Sequence, residues 1–153
     1  MKRLTRYVLF VAAAVLGLTG IARADNEHDD CALKTLRGTY VFAATGHNIV
    51  AGVAQPKAIV EVIEFHGNGI ISVPNGTRSI NGVVARSLVS GGGYTVDASC
   101  AGTIAFDAPG LTLDVFFSPK ADKLWMIQTT PNTVLQGIAT LLTHEVSSDR
   151  DRH

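Results

Sequence analysis

Helical periodicity is what this chain lacks most. Beyond its first two dozen residues no segment shows an apolar stripe at helical spacing, which excludes a helix bundle or an alternating α/β domain. No Lys/Arg cluster appears, so a nucleic-acid footprint is not expected. Cysteine is sparse, with two in 153 residues, and they form no CxxC pair. No His stands at ligand spacing from a Cys, and no H-x-H or HExxH pattern occurs, so neither a metal site nor a cofactor is expected. No serine lies in a G-x-S-x-G elbow, which removes the usual signature of a hydrolase. A membrane-spanning run is missing as well. The one long apolar stretch, 7–18, is about a dozen residues, short of the roughly 20 that cross a bilayer, and Gly17 and Gly20 break it.

That stretch has a different meaning. Lys2, Arg3 and Arg6 precede it and Ala22-Arg-Ala24 follows it, the pattern of a secretory signal peptide over 1–24. Asp25, not Cys, follows the cleavage site, so no lipid anchor is expected. Nine of the 13 basic and all 13 acidic residues lie beyond residue 24, giving that part a net charge of −4. Its 129 residues suit one domain with a real core. In an exported chain Cys31 and Cys100 read most simply as one disulfide, against the alternatives of a reactive thiol or a metal ligand. Asp25-Asn-Glu-His28-Asp-Asp30 has nothing to bury and opens a polar segment, 25–36; 145–153 reads as a charged tail beyond a domain over 37–144.

From Arg37 onward the texture is all-β. Turn residues recur between short segments rich in Val, Ile, Thr, Phe and Tyr. The pattern predicts eight strands: 38–46, 57–66, 69–74, 83–97, 101–107, 110–118, 122–130 and 134–143. The connections expected between them include His66-Gly-Asn-Gly69, Pro74-Asn-Gly76, Asn81-Gly82, Pro119-Lys-Ala-Asp122 and Thr130-Pro-Asn-Thr133. Gly91-Gly-Gly93 is expected to bend one long strand round a corner. Consecutive strands with period-two alternation predict an eight-stranded antiparallel barrel, with a β-sandwich as the alternative.

Alternation assigns faces. Tyr40, Phe42 and Ala44 share one side, as do Ile59, Ile63 and Phe65, and Leu113, Val115 and Phe117. Glu61 falls in phase with Ile59 and Ile63. If that face is interior, its carboxyl enters an apolar barrel and its pKa rises. The expected arrangement is instead a Glu61 near an open end or on a strand wet on both sides. Glu64 and His66 take the opposite face, with His66 leading into a surface turn. His47, His66 and His144 sit near different strand ends. Phe116, Trp125 and Ile127 alternate away from Leu113 and Phe117, so an interior for the latter leaves either an outward apolar patch or, with the tail or a loop covering the strand, ordinary core.

Cys31-x4-Leu36-x-Gly38-x-Tyr40, Phe65-x-Gly67-x-Gly69, and Gly91-Gly-Gly93-Tyr94 before Val96-x3-Cys100-x-Gly102-Thr103 follow one another in order. Over 31–143 this resembles a family of small secreted bacterial domains of unknown function. More distantly the chain resembles calycin-type and allene-oxide-cyclase-type barrels, with Gly38-Thr39-Tyr40 where lipocalins carry Gly-x-Trp. The first resemblance implies a barrel bridged by Cys31 and Cys100 and supplies no catalytic residues.

The sequence therefore leads to a periplasmic or secreted domain that binds a small apolar ligand inside the barrel. Tyr40, Phe42, Glu61, Ile63, Phe65, Leu113, Val115 and Phe117 are the expected lining. The alternative is a packed barrel whose outer face around Trp125 meets a protein partner or a second copy. A third reading is a cyclase- or isomerase-like enzyme using Glu61 or His66.

Overall fold

The computed structural model describes residues 30–108 and 110–143. The expected signal segment 1–24, His28, His144 and the tail 145–153 lie outside the described residues. No described helix is long and apolar enough to cross a membrane.

Nine strands form among the described residues: β1 (Arg37–Val50), β2 (Val53–His66), β3 (Ile70–Ile80), β4 (Val83–Ala85), β5 (Ser90–Tyr94), β6 (Ala101–Phe106), β7 (Thr112–Phe117), β8 (Lys123–Gln128) and β9 (Thr133–Thr143). Eight of them hydrogen-bond in the ring order β2-β1-β9-β8-β7-β6-β5-β3, and the β2–β3 pairing closes it. Every ladder is antiparallel. β4 pairs with β3 alone and stands outside the ring. The expected antiparallel barrel is the fold, and the sandwich is not.

Three strand boundaries differ from the sequence reading, each for a local reason. β1 and β2 run on to Val50 and Val53 and join through a two-residue turn, Ala51–Gly52, with φ of 50° and 80°. This is the hairpin turn whose twist suits the strands, but alanine is a rare occupant and hid it. Pro74-Asn-Gly76 is not a connection. It lies within β3, where the register with β2 slips between Val62 and Glu64. A bulge tolerates a proline without N–H in a strand otherwise paired on both sides. Finally, 83–97 is not one strand. Residues 86–89 separate β4 from β5, and Gly91–Gly93 form rungs of β5 between β3 and β6. A Cβ at Gly92 would collide with the Ala105 carbonyl, so glycine here permits close strand approach where a corner was expected.

The two ends of the barrel are built differently. At one end the chain enters through Cys31 and a 3₁₀ turn, Leu33–Thr35, and fully buries Leu36. The Cys31–Cys100 disulfide, with Cα atoms 5.0 Å apart, ties this segment to the loop after β5. The Tyr94 hydroxyl donates to the Leu33 and Leu36 carbonyls at 2.9 and 3.0 Å. Tyr40, Phe65 and Tyr94 stack edge to face, at 5.3 and 5.1 Å between centroids. The Tyr40 hydroxyl donates to the Ala121 carbonyl at 2.8 Å. Burial, reinforced by Tyr94 and Asp122, pushes its pKa up to about 12. This end and the barrel's middle are packed solid by Tyr40, Phe65, Ile63, Ile71, Ile104 and Val115. The polar segment expected over 25–36 thus ends in an apolar stopper.

Candidate functional site: the open end of the barrel

At the opposite end the inward positions change character, and Ala108, Gly110 and Leu111 of the β6–β7 connection border the opening. A cavity of about 280 Å3 opens there, walled by Phe42, Ile59, Phe106, Leu111, Leu113 and Leu135. Into it β2 brings Lys57 and Glu61, β3 brings Arg78 and β8 brings Gln128. Among the described residues Glu61 and Gln128 are the two buried polar or charged side chains, 8% and 7% exposed. Both face this one cavity. The polarity is a property of the site and is not scattered through the core.

Local sequence explains the room available. Glu61 pairs in register with Gly76, whose missing side chain is the reason the carboxyl fits: a Cβ there would approach the Glu61 Cβ to 2.9 Å. The bulge just before it shifts the inward phase of β3, so that Val73 and then Gly76 are buried. Without that slip a side chain would occupy the wall opposite Glu61.

The electrostatics follow from burial. Loss of water pushes the Glu61 carboxyl up to about 7, against the opposing pull of the Lys57 ammonium. Lys57 is held below its ordinary value, first by burial and then by the neighbouring Arg78 charge, while Glu61 acts the other way. The Lys57 ammonium donates to Gln128 Oε1 at 3.0 Å. The site therefore holds two cations beside a carboxyl that is half-protonated near neutrality. It can bind a polar or charged head and shelter an apolar remainder, and its carboxyl can gain or lose a proton near pH 7.

The expected lining divides. Phe42, Glu61 and Leu113 line the cavity, whereas Tyr40, Ile63, Phe65, Val115 and Phe117 belong to the solid core below it. Glu61 is both inward-pointing and close to an open end, so the two alternatives weighed for it coincide. Lys57, Arg78 and Gln128 escaped the sequence reading. Gln128 was detectable, because it follows Leu124 and Met126 in the inward phase of β8.

Two further clusters lie outside the barrel. On the outer faces of β2 and β3, Ser72 Oγ donates to Glu64 Oε2 at 2.9 Å, and His66 Nε2 lies 3.1 Å from the same Oγ. The serine occupies the middle of this chain and gives its proton to the acid. That is not the order in which a histidine activates a serine. His47 is exposed at the other end of its strand, and no cluster of metal-ligating residues occurs among the described residues.

The second cluster is apolar. Registers across five strands set Val60, Ala43, Ile138, Trp125 and Phe116 in one outward row. Val60, Ile138, Trp125 and Phe116 are all exposed, Trp125 by 50% and Phe116 by 53%. With small residues such as Ala43, Ala58 and Gly137 on its floor, this row borders an open groove of about 900 Å3. The outward patch expected around Trp125 exists.

No family model, curated protein or solved structure matches this chain.

Proposed function

We propose that the protein binds a small amphipathic molecule at the open end of its barrel, after export to the periplasm or beyond. The observation that carries this is the gathering of both buried polar side chains, Glu61 and Gln128, in one cavity whose wall combines polar and apolar side chains. Buried polar groups are costly unless partnered, and a few convergent polar groups on apolar walls are the ordinary make-up of a ligand site. At about 280 Å3 the cavity suits a small ligand only. The export reading is supported by the disulfide, which persists in oxidising compartments. The calycin-like reading of the motifs belongs with this proposal, and the closed eight-stranded ring is in keeping with it.

Native mass spectrometry of the mature protein from its own host tests the proposal. A small molecule that leaves on denaturation is expected, and Leu113→Trp, which fills the cavity, should empty the protein while its circular dichroism stays unchanged. Bare protein in both forms, with no ligand-induced shifts at the cavity amides, would refute it.

A second reading rests on the outward row. Its exposed side chains leave on the order of 400 Å2 of apolar surface in water, within the range of a monomer's largest and often functional patch. Lys123 lies in the next outward row on one side and Asp114 in the next on the other. A two-fold axis along the row would set each against the other's counterpart, which favours a second copy as occupant. Light scattering after gel filtration should find a dimer that Trp125→Lys converts to monomer. A monomeric wild-type protein at 100 μM would end this reading.

A further inference from the structure

We infer that the ligand of the open-end cavity is an anionic amphiphile, its acidic head held by Lys57 and Arg78 and its apolar part lodged against Phe42, Phe106, Leu113 and Leu135. This rests on the reading of the cavity as a small-molecule site and adds the sign of the ligand's charge.

The argument is a census of what faces the space. β1 contributes Phe42 and Asn48, and β6 contributes Phe106. β7 contributes Leu113, β8 Gln128, and β9 Thr133 and Leu135. None of these carries charge. The ionisable groups in the lining are Lys57 and Glu61 from β2 and Arg78 from β3. Two cations therefore face one carboxyl, and burial leaves that carboxyl ionised only in part near neutrality. The empty site carries a net charge of about +1 with Glu61 ionised and +2 with it protonated.

Lys57 registers the imbalance directly, since the Arg78 charge adds to burial in discouraging its ammonium form. An anion between the two would relieve both effects. A cationic head would add a third positive charge, and a neutral head would leave the repulsion in place. Gln128 holds the Lys57 ammonium at 3.0 Å through its Oε1. The lysine thereby reaches from β2 toward β8 across the opening, which sets its ammonium inside the cavity where an acidic head can meet it. Phe106, Leu113 and Leu135 sit on β6, β7 and β9, away from β2, and offer the tail a place apart from the charges, while Phe42 on β1 pairs directly with Glu61 and borders the head.

Binding should then be linked to protons. An anion disfavours the ionised form of Glu61, so occupancy draws a proton onto that carboxyl. For a head that stays ionised throughout, affinity is greatest below pH 7 and falls above it, by up to about tenfold between pH 6 and pH 8.

The test compares three probes of equal tail, octanoate, octanol and octylamine, titrated into the full mature protein and followed by amide chemical shifts. Octanoate should move the Lys57, Glu61 and Gln128 amides, bind at least tenfold tighter than octanol at pH 6, and weaken about tenfold by pH 8. Glu61→Gln should bind octanoate equally at both pH values, and Lys57→Met with Arg78→Met should erase the preference over octanol. The wild-type pH comparison stands independently of whether the variants fold. Equal binding of octanoate and octanol at these amides, or tighter octylamine, would overturn the anion assignment while leaving the site a ligand site. If none of the three moves these amides, both the assignment and the cavity's role as a small-molecule site fall.

Discussion

Replacing Glu61 by glutamine should make the protein less sensitive to pH, and the structure sets the size of the effect. The carboxyl rises from an ordinary 4.5 to about 7 on folding, with burial as the main cause. The folded state then holds the proton more tightly than the unfolded chain does. Below about pH 4.5 both states are protonated and nothing is lost. Between 4.5 and 7 the unfolded chain sheds its proton first, so stability falls as pH rises. Above 7 the full cost is present, because the folded protein carries a buried carboxylate. At 1.36 kcal/mol for each pH unit separating the two values, that cost is roughly 3 kcal/mol. Glutamine keeps the shape and removes the titration. Urea unfolding followed by far-ultraviolet circular dichroism, at pH 4 and pH 8, measures both proteins with the disulfide intact. The stability difference between variant and wild type should shift by about 3 kcal/mol in favour of Glu61→Gln on going to pH 8. Measuring each protein at two pH values cancels what the new amide adds by itself. A shift below about 1 kcal/mol would mean that the Glu61 carboxylate keeps its water, and the account of the cavity as a desolvated site would be wrong.

Other expectations follow from the closed end and from the cavity wall beside Glu61. Replacing Cys31 and Cys100 by serine releases a loop with a sequence separation of 69 residues, and the chain-entropy model puts the loss at about 4 kcal/mol; urea midpoints of the two forms check it, and a change under 1 kcal/mol would refute it. Leu36→Ala withdraws the fully buried stopper and should cost about 2–5 kcal/mol, read by the same unfolding curves, with an unchanged curve counting against the stopper. Gly76→Val should crowd Glu61, reducing octanoate binding more than it reduces stability; undiminished binding would show that this wall does not bound the site.

How far the sequence reveals all this depends on the kind of signal involved. Period-two alternation exposed the inward faces of β1, β2 and β7, because a barrel interior demands one apolar side per strand. Asn81-Gly82 marked its turn because both residues adopt positive φ readily, at 48° and 82°. Ala51-Gly52 makes the same kind of turn with a residue that sends no such signal. Pro74 misled for the opposite reason, since a bulge absorbs a residue that otherwise ends strands. The site was half legible. Glu61 stood out as a charge in an apolar phase, but its neighbour Arg78 comes from a strand whose phase shifts at the bulge. Nothing local announces that shift. Which end of the barrel is stopped and which is open depends on where Leu36 lands, a contact with residues some sixty positions away.

The ring order also fixes when the fold can be completed. β1 closes against β9, pairing Asn48 with Thr133 and Thr39 with Thr143. Until the final strand is available, β1 and β8 both present unpaired edges, and beside them lie the exposed faces of Trp125 and Ile127. Such edges recruit other chains, so the half-made barrel is the aggregation-prone species. A chain that emerges with its N-terminus first must keep β1 unpaired on one side while some ninety further residues appear. Contacts this distant in sequence make folding slow, on the scale of milliseconds to seconds. Loss of β9 by a late stop codon would therefore leave both edges permanently unpaired and should drive the protein into aggregates.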